Sequence, residues 1–135
     1  MVRIEITYQG GLRCEAVHGP SGTRLVTDAP VDNRGKGESF SPTDLVATAL
    51  GTCIATIMGI VAERDKIDLT GMRISVGKEM SAEPPRRITK LSVRIVMPGG
   101  LDEKQKAKLE RGAHTCPVHQ TLHGNVEMPI EFVYP

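Results

Sequence analysis

The feature that most constrains this chain is an uninterrupted run from Leu45 to Ala62 that contains no charged residue. Immediately before it stands Ser41-Pro42-Thr43-Asp44. A serine hydroxyl can accept from an orphan amide of a helix's first turn, proline at the first helical position has its φ already set, and an acidic residue three places after the serine closes a capping box. The spacing therefore predicts a helix that opens at Ser41. Its apolar side chains, Leu45, Val46, Leu50, Ile54, Ile57, Met58, Ile60 and Val61, fall on every side of a helical wheel, so the helix needs cover all round.

Eighteen uncharged residues reach the length of a membrane span, but Thr48, Gly51, Thr52, Thr56 and Gly59 dilute the run and amphipathic segments surround it. No membrane partner is expected. The chain has 135 residues, enough for one domain spanning 1–135 but short of material to enclose such a helix alone. A small sheet on one side and a second subunit on the other is the predicted arrangement, an obligate homodimer.

Around the helix the pattern is that of short strands. Residues 2–8 and about 11–17 alternate on either side of Gln9-Gly10-Gly11, a hairpin signal, and Thr23 to Thr27 adds a third strand before an aperiodic loop from Asp28 to Phe40. Met72, Ile74 and Val76 alternate with polar residues, as do Leu91, Val93, Ile95 and Met97, which predicts an antiparallel pair. Asp102 with Gln105 caps a charged helix ending near Gly112, His114 to His119 starts a short helix, and Val126 to Tyr134 alternates as a closing strand. The fold class is α+β, with antiparallel sheets packed around a long buried central helix.

Hydrophobic residues at 39% and charged residues at 24% describe a chain that folds, and Lys plus Arg at 17 against Asp plus Glu at 16 leave no field to gather phosphates. Nucleic acid is not an expected partner; Arg86, Arg87, Lys90 and Arg94 lack interleaved aromatics and read as a solvated strand face. The start, Met1-Val-Arg-Ile-Glu-Ile-Thr-Tyr8, alternates instead of presenting a secretory pattern, so a cytoplasmic location is expected. In a reducing compartment, three cysteines point to catalytic, metal-binding or buried thiols before structural bridges.

Two of them stand in informative places. Cys53 lies about three turns into the apolar helix, where neither a dipole nor exposure activates it, and spacing alone reads it as a packed core cysteine. Cys116 sits differently: with Thr115 as cap, its sulfur falls in a first turn, where aligned peptide dipoles favour a thiolate, and His114 and His119 could exchange protons with it. An inert cysteine at a helix end is the alternative. A metal site is another, because Cys116, His119 and His123 would share one helix face beside His114 and could hold zinc. Cys14 is a strand residue with no assigned role.

Ser41-Pro-Thr-Asp-Leu45 followed by Ala49-Leu-Gly-Thr-Cys53, and later Cys116-Pro-Val-His119, resemble the two signature segments of the OsmC/Ohr family in order and separation. The likeness runs over nearly the whole chain, including the loop Gly35-Lys-Gly-Glu-Ser39 and the closing strand. It implies an intertwined homodimer and a cofactor-free thiol peroxidase, in which Cys53 attacks an organic hydroperoxide and Cys116 resolves the product. It also implies reduction by a dithiol or lipoyl-type partner.

A thiolate in apolar surroundings needs a cation to offset its desolvation. The family supplies an arginine near the amino terminus, which is Arg13 here, following Gly10-Gly11, with Arg24 as the alternative. In many members a glutamate ten residues before the peroxidatic cysteine orients that arginine, but Thr43 occupies this position. Asp44, about 100° further round the helix, is assigned to the cap, and Glu38 in the preceding loop is the substitute. This departure keeps open a non-catalytic dimer that binds an apolar ligand. Leu50 and Ile54 are the expected substrate-binding residues, favouring an alkyl hydroperoxide over hydrogen peroxide.

Overall fold

The computed structural model describes residues 1–135, and the chain divides into two compact units, Met1–Val46 and Ala47–Pro135. In the first unit, β1 (Ile4–Gly10), β2 (Arg13–His18) and β3 (Arg24–Asp28) form an antiparallel sheet in that order. The hairpin turns through Gly10 and Gly11 at φ of 84° and 61°, a region glycine enters without the strain a Cβ would bring. On β1 the alternate residues Ile4, Ile6 and Tyr8 are all exposed.

The segment after β3 is not the open loop that its lack of period suggested. It doubles back along the strand: Ser39 Oγ donates to the Val26 carbonyl at 2.7 Å, the Asp28 N–H to the Phe40 carbonyl at 3.1 Å, and the Gly37 N–H to the Ala29 carbonyl at 3.2 Å. Glycine is required at position 35, where a Cβ would lie 1.7 Å from the Ala29 carbonyl oxygen. Helix α1 (Pro42–Asp65) then begins with the expected box: Ser41 Oγ accepts from the Asp44 N–H at 3.1 Å and Asp44 Oδ2 accepts from the Ser41 N–H at 2.8 Å.

The second unit holds most of α1 with β4 (Arg73–Met80), β5 (Ile88–Val96), α2 (Glu103–Ala113), α3 (Pro117–Leu122) and β6 (Ile130–Val133). β4 and β5 pair antiparallel as expected, but β6 runs parallel to β5, so this sheet is mixed. The reason is the connection: the chain between β5 and β6 is long enough to carry α2 and α3, and a crossover of that kind returns the strand in the same direction. Leu91 and Ile95 of β5, Leu50, Ile54 and Met58 of α1 and Leu109 of α2 are completely buried together in its core.

Two glycines set the spacing of α1 within this unit. A Cβ on Gly51 would meet Val76 Cγ2 at 3.0 Å, and one on Gly112 would meet Val61 Cγ2 at 3.3 Å, so β4 and α2 both approach the helix where a side chain is missing. The expected cover all round is not provided within the chain. Thr48, Thr52, Thr56 and Ile60, four residues apart, form an exposed stripe. The Thr52 and Thr56 hydroxyls donate to the Thr48 and Thr52 carbonyls at 2.8 Å, which spends their polar hydrogens on the helix itself. By length and composition α1 could cross a membrane, and 39% of its most apolar window is buried in this fold.

Candidate active site

The close approach of Gly112 to α1 decides where the next residues go. α2 ends at Ala113, Thr115 Oγ donates back to the Gly112 carbonyl at 2.8 Å, and the turn delivers Cys116 against the flank of α1 that carries Cys53. Both cysteines are free thiols; Cys53 is half-buried and Cys116 wholly buried.

Cys116, not Thr115, caps α3: its Sγ accepts the His119 N–H at 3.2 Å. That amide and the Val118 amide favour a thiolate, yet burial outweighs them and pushes the Cys116 thiol above its ordinary value, with the neighbouring Cys53 side chain acting in the same direction. The expectation that Cys116 is the activated sulfur is therefore overturned. Desolvation dominates over the helix dipole for a sulfur without solvent contact.

Cys53 instead opens onto a groove of about 450 Å³ lined by Ala49, Thr52, Cys53, Thr56, Ile57, Pro117 and Val118. Its walls are almost entirely apolar, because the two threonines present methyl groups once their hydroxyls are bonded to the helix. Leu50 and Ile54, the expected substrate-binding residues, lie in the core and not on this surface.

The histidines lie ring to ring and do not converge on one point as metal ligands would. α3 runs only from Pro117 to Leu122, with Cys116 and His123 as its end caps, and the His123 N–H still donates to the His119 carbonyl at 2.9 Å. His114 meets His119 edge-on and His119 stacks on His123, each at 6.0 Å between ring centroids, and no three His, Cys, Asp or Glu side chains converge as a metal-holding group. Burial, reinforced by His114 and His123, holds the His119 imidazole below its ordinary range and keeps it neutral near pH 7.

In the first unit, Arg13 Nη1 donates to Glu38 Oε2 at 2.7 Å, while Arg24 is paired with Glu15 at 2.5 Å. Position 43 brings no carboxylate: Thr43 Oγ1 lies 3.2 Å from Ser41 Oγ, and the Asp44 carboxylate is engaged by the Ser41 amide. Cys14 is partly exposed on β2, opposite Tyr8 and Thr27. Sequence reasoning missed Asp28, which is 1% exposed and accepts the Glu38 N–H at 3.0 Å. The sequence offered only an acidic residue at the end of a strand; its place opposite Arg13 comes from the register.

A family model for OsmC-like protein matches residues 35–131. The chain belongs to the OsmC-like family. Among solved structures, a Psychrobacter arcticus 273-4 protein assigned to the osmotic-stress and detoxification response is 42% identical, with 98% of this chain and 96% of that one covered and a TM-score of 0.91. The organic hydroperoxide resistance protein OsmC of Legionella pneumophila is 18% identical over 98% and 96% of the two chains, with a TM-score of 0.78. OhrB of Bacillus subtilis, also an organic hydroperoxide resistance protein, is 18% identical over 98% and 97%, with a TM-score of 0.71. No curated protein matches the sequence.

Proposed function

We propose that this protein is a cytoplasmic thiol peroxidase that reduces organic hydroperoxides, using Cys53 as nucleophile and Cys116 as resolving thiol. The observation that carries the reading is a half-buried Cys53 on an apolar groove with the fully buried Cys116 beside it. The family membership and the hydroperoxide resistance named for the Legionella and Bacillus relatives support it. The Cys53 thiolate attacks the terminal peroxide oxygen, an S–O bond forms as the O–O bond breaks, and the alkoxide leaves as the alcohol once protonated. The Cys116 thiol then displaces the sulfenic hydroxyl, forming a disulfide and releasing water. A dithiol of the lipoyl type returns both cysteines to thiols and is itself oxidised to a disulfide.

The family resemblance gives Arg13, which pairs with Glu38, the role of the cation that balances the attacking sulfur's charge. Ile57, Val118 and the threonine methyls would receive the alkyl group, and burying even a few carbons favours binding by about 0.8 kcal/mol each. Hydrogen peroxide gains nothing there. The kcat/KM for cumene hydroperoxide is expected to exceed that for hydrogen peroxide by roughly tenfold or more; a faster reaction with hydrogen peroxide would refute the assignment of the groove. The exposed β1 row and the Thr48 to Ile60 stripe support a homodimer, for which sedimentation equilibrium should give twice the chain mass; a monomer at every concentration would remove it.

A further inference from the structure

The Arg13–Glu38 pair is partly solvent-exposed, 33% and 54% by side chain, and two long side chains so placed gain little from one another while losing rotamer freedom. Such a pair keeps one geometry only if something else fixes a partner. Glu38 is fixed through its backbone. Its N–H donates to Asp28 Oδ2 at 3.0 Å, and two residues on, the Phe40 carbonyl accepts the Asp28 N–H at 3.1 Å, so a single residue grips the loop on both sides of Ser39.

Asp28 is also the direct ladder partner of Arg13, which places both side chains on the same face of the sheet. Its carboxylate is buried, and its other oxygen, Oδ1, has no hydrogen-bond partner. A buried carboxylate is costly to keep, and the Ser39 and Gly37 hydrogen bonds would tie the loop to the strand without a charge. We infer that Asp28 is the positioning residue of the arginine: it pins the Glu38 backbone, and through it the carboxylate that orients the Arg13 guanidinium. This inference rests on the reading of Arg13 as the site cation.

The test is a set of variants in the full-length protein, Asp28→Ala and Asp28→Asn, each alone and with Glu38→Ala, assayed for cumene hydroperoxide turnover and for hydrogen exchange of the Glu38 amide. Asp28→Ala should lose about tenfold in turnover. Asp28→Asn should stay within about threefold, because a carboxamide oxygen still accepts the Glu38 N–H. In the Glu38→Ala background, Asp28→Ala should add less than about twofold, the mark of a residue acting through Glu38. An equal loss in both backgrounds, or no loss in either, overturns the inference. Should Asp28→Ala fail to fold, Asp28→Ser, too short to reach the amide in the same way, replaces it. If the wild type shows no turnover, the peroxidase reading fails by itself; Asp28 is then judged by exchange, where faster exchange of the Glu38 amide in Asp28→Ala supports positioning and unchanged exchange overturns it.

Discussion

Replacing Cys53 by serine is expected to lower organic hydroperoxide turnover by roughly a thousandfold or more, because a serine hydroxyl is not ionised near neutral pH and no basic side chain lines the groove. The other cysteines should not compensate. Cys116 is buried and burial pushes its thiol up, and Cys14 is not among the residues that line the groove. Cys116→Ser should behave differently: the first attack proceeds, one equivalent of peroxide is consumed, and the protein stalls as a Cys53 sulfenic acid. Stopped-turnover assays with intact-mass readout separate the two variants. Equal activity of Cys53→Ser and wild type would remove Cys53 from the chemistry.

Ile54→Ala is expected to destabilise the protein by about 2–5 kcal/mol, the range for truncating a fully buried aliphatic residue and leaving part of the cavity behind. Ile54 is 0% exposed, one residue from Cys53 but directed into the core with Leu50, Met58, Leu91 and Ile95. Urea denaturation should show a lower midpoint at an unchanged slope. Under conditions where the variant remains folded, its preference for cumene hydroperoxide over hydrogen peroxide should match that of the wild type. A changed preference with little loss of stability would return Ile54 to the role of a substrate-binding residue.

These two neighbours show what the sequence could and could not disclose. Helix starts were legible because their determinants are local: the Ser41–Asp44 box and the Asp102–Gln105 box both form, each from side chains three residues apart. The β1–β2 hairpin and the β4–β5 pair were legible from alternation around turns. The direction of β6 was not, since period 2 reports which face a strand buries and says nothing of whether its partner runs with it or against it.

At the candidate site the limits were of a different kind. Whether Cys53 or Cys116 is the accessible sulfur depends on how α2 and α3 pack on α1, a long-range consequence of Gly112, and a helix-end argument applied to Cys116 alone gave the opposite answer. The zinc alternative rested on spacing along α3, whereas in the fold His119 packs ring against ring with His114 and His123 and no three such side chains converge on a point. Asp28 escaped notice because a strand-ending acid looks like any turn residue until the register sets it opposite Arg13 and the loop folds back upon it. Glu38 was reachable, as a carboxylate near enough in the chain to stand in for the one that Thr43 lacks, and it meets Arg13.

The most direct measurement is a peptide map of the reduced wild-type protein after one equivalent of cumene hydroperoxide, quenched with an alkylating agent. Loss of two hydrogens at the Cys53 and Cys116 sulfurs is expected, with one cross-linked peptide joining them and Cys14 alkylated. Recovery of both Cys53 and Cys116 as alkylated thiols, or a cross-link that omits either of them, would contradict it.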